Sequence, residues 1–506
     1  YFMKQILRIL NRLILVLPAL VLQGFWYYII FVFASRFSFY LTFATNIISF
    51  LVVLFIVNHR GEPNYRIIWL IIILSLPVIG CWLYILFGNR RSSKGIDKLI
   101  KYNEKYNKVL PFTSEDIETD LKNDNYRLAQ TMIELSNESN FPIYRCNETK
   151  FYSLGEEMFK DILEELKNAK EFIYIEYFIV EKGLFFDSIY NILKQKVNEG
   201  VKVYFMFDDF GSILTFSNHT LIEMEDNGIN CCIFNPTITI KAAINNRDHR
   251  KMVIIDNKVC FSGGINLADE YINHVVKFGH WKDIGFKIIG AGVDNYSKMF
   301  VELWNCYSKN KIINNLKVNY LKDDNHGYLL SYYDSPHNEV AYSNNLYVDL
   351  MSQAQKYIWI YTPYLIPSEE IINSLIMASK RGVDVRLILP GVPDKKIVYR
   401  ISKSYFKVLM DNGVKIYLYS AGFVHAKALL IDDDICTIGT VNLDSRSLFL
   451  HFENNTLFYK NNVSLLLKDD FNNYFNKCKL VKIEENKTGF FHNLINNILR
   501  LIAPLC

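Results

Sequence analysis

Two stretches of the chain carry histidine, lysine and aspartate in the pattern His-x-Lys-x4-Asp. The motif residues are His249, Lys251 and Asp256 in the first copy and His425, Lys427 and Asp432 in the second. Imidazole is nucleophilic and exchanges protons near neutral pH, whereas a lysine ammonium is a point charge suited to phosphate oxygens. The doubled set therefore suits displacement at a phosphodiester, in which one histidine attacks phosphorus and the other protonates the departing alkoxide.

Each motif is followed by six residues and then by a turn of small residues, 263–266 in the first copy and 439–442 in the second. The turns end in Asn266 and Asn442, whose side-chain amides are neutral hydrogen-bond donors. Together with the two lysines, these asparagines are candidates for stabilising charge on the equatorial oxygens of a phosphate.

A histidine that attacks or protonates also needs an acid that fixes its tautomer and supports the imidazolium. The candidates are Asp283, 34 residues after His249 (283 − 249), and Glu453, 28 residues after His425 (453 − 425). We expect each acid to orient the histidine of its own half. For Asp256 and Asp432, although they belong to the catalytic motif, we favour a structural role at the junction of strand and turn.

The elements that carry the motifs are predicted from the apolar residues within them. The run Met252 to Ile255 is apolar and largely β-branched, which is typical of a buried strand. Residues i and i+2 of a strand face the same way, so each histidine and its lysine would project side by side. A zinc site is disfavoured, because lysine is not a usual ligand and we expect no third or fourth His or Cys nearby.

Further matches between the two parts of the chain indicate an internal repeat. The matching pairs of segments are 172–175 with 357–360, 199–203 with 381–385, and 226–229 with 411–414. Amphipathic helical stretches alternate with these runs, which predicts α/β halves with largely parallel sheets. Two copies of one half, each contributing one motif, would meet at a shared active-site cleft with pseudo-two-fold symmetry.

With 506 residues the chain is longer than one core usually supports. We predict an N-terminal membrane region, a helical connector, two α/β halves and a C-terminal amphipathic helix, with the boundaries 1–93, 94–140, 141–315, 316–482 and 483–506. The net charge of +4 is too balanced to indicate nucleic acid as a partner. The nine cysteines form no CxxC pair, and we interpret them as reduced thiols.

The first 90 residues contain three apolar segments of bilayer-spanning length, Leu13 to Phe33, Phe39 to Val57 and Ile67 to Phe87. The first segment carries polar and helix-breaking residues. The sequence is therefore compatible with two spans and an interfacial first segment, or with three spans. Five basic residues follow the last segment and favour a cytoplasmic catalytic part. They are Arg90, Arg91, Lys94, Lys98 and Lys101. The tail from Phe490 to Leu505 has helical amphipathic spacing, as a packed terminal helix or an interfacial membrane helix would.

The paired motifs resemble those of the phospholipase D superfamily, although Gly264 and Thr440 stand where the superfamily often has serine. The N-terminal apolar segments and three phrases are similar to those of bacterial cardiolipin synthases. The phrases are GINLADEY at 264–271, TPY at 362–364 and GTVNLDSRS at 439–447. The resemblance covers nearly the whole chain.

The resemblance implies a multi-pass enzyme of the bacterial cell membrane that acts on phosphatidylglycerol, with membrane lipids as its partners, no cofactor or metal, and oligomers possible. It would transfer a phosphatidyl group between two phosphatidylglycerol molecules, giving cardiolipin and glycerol. His249 would be the nucleophile and His425 the general acid and later base, with phosphate bound by Lys251, Lys427 and the two asparagines. The alternatives are a phospholipase D that gives the bond to water, a nuclease of the same superfamily, and an inactive membrane scaffold.

Overall fold

A computed structural model of the chain describes eleven stretches of residues: 21–28, 36–58, 63–88, 112–146, 148–236, 246–312, 326–338, 340–483, 495–496, 498–501 and 503. The chain divides into two compact units, one formed by residues 1–91 and 500–506 and the other by residues 92–499. Both histidine motifs lie in the second unit. The predicted boundaries within this unit stay predictions.

The first unit is helical. Besides the helical residues 21–28, its elements are the helices Arg36–Asn58, Pro63–Ser75 and Pro77–Leu83 and the π-helix Tyr84–Gly88. The segment from Ile67 to Phe87, expected to be one span, is broken at Leu76 because Pro77 cannot continue the hydrogen bonding of the preceding helix. Among the described residues, no helix combines the length and the apolarity that a bilayer crossing requires. Most of the first predicted segment, and most of the C-terminal tail, lies outside the described residues.

The first sheet of the second unit has seven strands. In spatial order they are Glu148–Tyr152, Gly285–Ile289, Val259–Gly263, Met252–Ile255, Phe172–Tyr177, Lys202–Asp208 and Asn230–Phe234. The last three run parallel, and every other neighbouring pair is antiparallel. The predicted motif strand is present and fully buried.

The second sheet repeats this arrangement and adds a strand at each edge. In spatial order its strands are Tyr144–Arg145, Tyr328–Asp334, Glu453–Tyr459, Ile435–Gly439, Ala428–Ile431, Tyr357–Tyr361, Asp384–Pro390, Lys415–Tyr419 and Cys478–Leu480. Its seven inner strands follow the same order and directions as those of the first sheet. The internal repeat is therefore confirmed, but the prediction of largely parallel sheets is wrong, because only two of the six pairings in each repeat are parallel.

The antiparallel part of each sheet begins with the hairpin that carries the motif. Asp256 and Asn257 both have φ near +53°, and the equivalent residues Asp432 and Asp433 have φ of 51° and 74°. Aspartate and asparagine tolerate this left-handed region better than most residues, and hairpin turns require it. Each motif strand therefore turns back at once onto its neighbour.

Helices cover the sheets and join the two halves. The α-helices are Glu115–Asp124, Tyr126–Ser139, Gly155–Asn168, Leu184–Asn198, Asp209–Ser212, Asn218–Asp226, Val293–Tyr307, Tyr342–Gln353, Glu369–Lys380, Lys396–Ser404, Phe406–Met410, Ser445–Phe449 and Asn462–Phe475, with a 3₁₀ helix at Asp269–Ile272. Val293–Tyr307 packs on the first sheet and against a strand of the second, and Asn462–Phe475 does the reverse. The halves thus share one core. All eight cysteines among the described residues are free thiols, as predicted.

The motif aspartates connect each hairpin by hydrogen bonds to the start of the neighbouring strand in the sheet. The carboxylate of Asp256 accepts hydrogen bonds from the backbone N–H groups of Lys170, Glu171 and Phe172, at 2.7 to 2.8 Å. The carboxylate of Asp432 accepts the same three bonds from residues 355, 356 and 357, at 2.6 to 2.9 Å. Neither carboxylate bonds a motif histidine or lysine, which supports the structural role.

We predict that Asp256→Ala lowers the free energy of unfolding by about 3 kcal/mol, because three N–H groups lose a charged acceptor. Thermal or urea unfolding of the purified protein measures the change. Asp434→Ala is the control, since this side chain is exposed and surface substitutions usually change stability by less than about 0.5 kcal/mol. Equal stability of the two variants would contradict the structural role.

Candidate active site

Each motif histidine is held by backbone pairing with the opposite half. Strand Gly422–Val424 pairs in parallel with strand His280–Lys282, so that Val424 lies beside Lys282. In the equivalent place Asp248 forms a parallel bridge to Phe452. The residue before each histidine is therefore aligned with the residue before a candidate acid. The backbone N–H of His425 donates to the Lys282 carbonyl at 2.7 Å, and that of His249 donates to the Phe452 carbonyl at 2.8 Å.

The histidine–acid pairs are consequently crossed between the halves. Nδ1 of His249 lies 2.8 and 3.0 Å from the carboxylate oxygens of Glu453, and Nδ1 of His425 lies 2.7 Å from Asp283 Oδ2. Both candidate acids contact a motif histidine, but the expectation that each contacts the histidine of its own half is wrong. A carboxylate only accepts hydrogen bonds, so Nδ1 carries the proton and Nε2 presents its lone pair.

The two positions that depart from the superfamily pattern contact these acids. The Thr440 hydroxyl donates to Glu453 Oε2 at 2.5 Å. At Gly264, an added Cβ would come within 2.1 Å of Asp283 Oδ1, an oxygen that accepts the Ile284 N–H at 2.9 Å. Threonine therefore orients one acid, while glycine leaves room for the other.

The two lysines lie buried beside their histidines. Lys251 Nζ donates to the His249 carbonyl at 2.5 Å, and Lys427 Nζ lies 2.7 and 3.0 Å from the two ring nitrogens of His425. Burial lowers the pKa of Lys251 to about 7 and that of Lys427 to about 8, against the opposing effect of the nearby carboxylates. An anionic phosphate that enters the site would therefore raise the pKa of both lysines and favour their charged form.

Burial also lowers the pKa of both histidines well below its usual value, and the lysines of both motifs lower it further. The charge of His425 adds to this effect on His249, so groups from the two halves act on one imidazole. Each histidine is only 7% exposed. The arrangement therefore holds neutral imidazoles, the form that can attack phosphorus or accept a proton.

The two asparagines differ in the hydrogen bonds that their side chains form. Asn266 accepts from the Ile179 N–H at 3.1 Å and donates to the Tyr271 hydroxyl at 2.8 Å, which leaves one amide hydrogen for a ligand. Asn442 is buried, and its Oδ1 has no hydrogen-bond partner among the described residues. Their role as phosphate ligands stays a prediction.

One histidine beside the site was not predicted. The ring of His451 lies 5.8 Å from that of His249, and its Nδ1 lies 3.6 Å from Glu453. The donor atoms of these three residues lie within 4.8 Å of one another, as in a metal site. The sequence argument that no third histidine is nearby is therefore wrong. Lys251 and Lys427 would repel a metal ion there, and a site without metal stays our prediction.

The fold and the paired motifs define a phospholipase D-like protein. The phosphatidylserine synthase of Haemophilus influenzae is similar in fold, with a TM-score of 0.55 and 17% sequence identity over 74% of this chain and 98% of that one. A family model described as "Cardiolipin synthase, PLD-like domain" matches residues 162–278 and 347–476. A second, "Phospholipase_D-nuclease N-terminal", matches residues 46–89.

Two relatives extend over nearly the whole chain. An uncharacterized protein of Streptococcus mutans is 37% identical, covering 90% of this chain and 99% of that protein. The cardiolipin synthase of Alkalihalophilus pseudofirmus is 32% identical, covering 92% of this chain and 93% of that protein. The chain belongs to the cardiolipin synthase family, and the resemblance stated from its motifs is confirmed.

We predict that kcat/KM falls at least about tenfold between pH 7 and pH 9. The lysine ammoniums, with pKa values of about 7 and 8, bind phosphate below these values and lose their charge as the pH rises through them. The pH profile of kcat/KM reports ionisations of the free enzyme. Lys427→Arg should reduce the fall of kcat/KM above pH 8, because a guanidinium stays charged in this range. A flat wild-type profile to pH 9 would contradict the assignment.

Proposed function

We propose that this protein is a membrane phosphatidyltransferase that makes cardiolipin and glycerol from two molecules of phosphatidylglycerol. The observation that carries the proposal is the pair of buried histidines, each bonded to an acid of the opposite half. Family membership supports the choice of substrate. Among the described residues, no other two histidines are each bonded to an acid of the opposite half.

In the first step His249 Nε2 attacks the phosphorus of the donor lipid. The N–P bond forms as the bond from phosphorus to the glycerol headgroup oxygen breaks. His425, which gains a proton once the bound phosphate offsets the charge of the lysines, gives that proton to the leaving oxygen. Glu453 supports the positive charge that develops on His249, and Asp283 stabilises the protonated form of His425. Lys251 and Lys427 neutralise the equatorial oxygens.

In the second step a hydroxyl of the acceptor phosphatidylglycerol replaces the departed glycerol. His425, now neutral, takes the hydroxyl proton as the oxygen attacks phosphorus, and the N–P bond to His249 breaks. The proton count closes, because the proton given up in the first step is recovered in the second. Water in place of the acceptor would give phosphatidic acid, so access to the covalent intermediate decides between synthase and hydrolase.

The N-terminal unit supports a location in the cell membrane, with two or three spans and the catalytic unit on the cytoplasmic side. Helix Arg36–Asn58 exposes a series of large apolar side chains that water would not favour. They are Phe39, Tyr40, Phe43, Ile47, Ile48, Phe50, Leu51, Leu54, Phe55 and Val57. The positive cluster that follows residue 89 agrees with this orientation. We expect no nucleic acid partner, and oligomers are compatible with the proposal.

We predict that the full-length protein in phosphatidylglycerol vesicles releases one glycerol for each cardiolipin formed. Thin-layer chromatography or mass spectrometry of the lipids, with an enzymatic glycerol assay, measures both products. His249→Ala and His425→Ala should each nearly abolish turnover, since the steps are sequential. Phosphatidic acid as the sole lipid product would defeat the synthase proposal.

The roles of the two histidines can be separated with a phosphatidyl ester of p-nitrophenol, a leaving group that needs no general acid. We predict that Asp283→Asn retains a burst of p-nitrophenol, with the phosphatidyl group on His249 by mass spectrometry after a denaturing quench. Glu453→Gln should lose the burst by about 10³-fold, because the attacking imidazole loses its orienting acid. The reverse pattern would mean that His425 is the nucleophile.

A further inference from the structure

A segment outside both motifs lies at the edge of the site. After strand Asp384–Pro390 the chain is fixed by two backbone hydrogen bonds, from Gly391 N–H to the Tyr419 carbonyl at 3.0 Å and from Val392 N–H to the Gly422 carbonyl at 3.2 Å. Gly422 begins the short strand that ends one residue before His425. The segment therefore follows the backbone that positions the second histidine.

The helix that continues this segment, Lys396–Ser404, is fixed to the other side of the site. Its buried Ser402 hydroxyl accepts the N–H of Leu365 at 3.1 Å. Strand Leu365–Ile366 in turn pairs with Leu443–Asp444, which directly follows Asn442. The stretch from Gly391 to Ser402 is thus attached at one end to the strand that precedes His425 and at the other, through Leu365–Ile366, to the strand that follows Asn442.

Lys395 lies between these two attachments and is exposed. Its ammonium lies 5.1 Å from the centre of the Tyr364 ring, whose hydroxyl donates to Asp394 at 2.5 Å. The centres of the Tyr364 and Phe423 rings lie 6.5 Å apart, and those of the Phe423 and His425 rings lie 6.0 Å apart. Among the described residues, no carboxylate lies within salt-bridge distance of Lys395.

The charge of Lys395 acts on both motif histidines. It contributes to the lowered pKa of both His249 and His425, although Lys395 belongs to neither motif. Its neighbour Lys396 is equally exposed but is not among the main influences on either histidine. Lys395 is therefore an exposed cation near the site, in contrast to the buried Lys251 and Lys427.

The proposed reaction brings two phosphodiesters to the site, one on the donor lipid and one on the acceptor. Lys251 and Lys427 are needed at the phosphorus that is transferred, but the acceptor lipid brings a second phosphodiester, separated from its attacking hydroxyl by only a three-carbon headgroup. We propose that Lys395 binds the phosphodiester of the acceptor lipid and thereby favours a phospholipid over water as acceptor. This inference rests on the proposed function and names a specificity-determining residue for it.

The test compares acceptors while the donor stays the same. Full-length wild type, Lys395→Met, Lys395→Arg and the control Lys396→Met are assayed in phosphatidylglycerol vesicles, with and without ethanol as an uncharged acceptor. Methionine keeps the apolar stem over Tyr364 and removes the charge. Cardiolipin, phosphatidic acid and phosphatidylethanol are quantified by mass spectrometry.

We expect Lys395→Met to lower the ratio of cardiolipin to phosphatidic acid about tenfold, the effect of losing one charge-assisted hydrogen bond. Phosphatidylethanol formation should stay within about twofold of wild type. Lys395→Arg and Lys396→Met should keep the wild-type ratio.

Two results would overturn the inference alone: an unchanged ratio in Lys395→Met, or an equal loss of all three products, which would place Lys395 on the donor. If wild type formed phosphatidic acid and phosphatidylethanol but no cardiolipin, the proposed function itself would fail. The two failures are therefore distinguishable.

Discussion

The structure of the site depends on one exchange between its halves: each motif histidine is oriented by a carboxylate that the other half provides. The exchange is built into the backbone, because the residue before each histidine pairs in parallel with the residue before the acid. Neither half alone provides both a motif histidine and the acid bonded to it. Helices Val293–Tyr307 and Asn462–Phe475, each packed against the other half's sheet, hold the two together.

Burial then determines the chemical state of the groups. Burial in a site almost closed to water lowers the pKa of both imidazoles and both lysines, and repulsion from the lysine charges lowers that of the imidazoles and of Lys251 further. The acids offset part of the repulsion, and an entering phosphate would offset more of it. In the proposed reaction, a bound phosphate would favour the charged form of the lysines, and these charges would stabilise its transfer.

The motif chemistry, the internal repeat and the motif strands could be predicted because each depends on local spacing. The crossed pairing could not, since the distances of Asp283 and Glu453 along the chain carry no information about which histidine they approach. His451 was missed for the same reason, and its signal was only its position two residues before Glu453. The antiparallel hairpins had a signal in Asp256-Asn257 and Asp432-Asp433, which favour a tight turn. The break at Leu76 also had one, in the proline that follows it.

The most direct test of the crossed exchange is nuclear magnetic resonance of the protein with ¹⁵N-labelled histidine, which resolves the downfield Nδ1–H protons that carboxylates hold. We expect Glu453→Gln to shift the Nδ1–H resonance of His249 and to leave that of His425 in place, whereas Asp283→Asn should do the opposite. A change confined to the histidine of the acid's own half would contradict it.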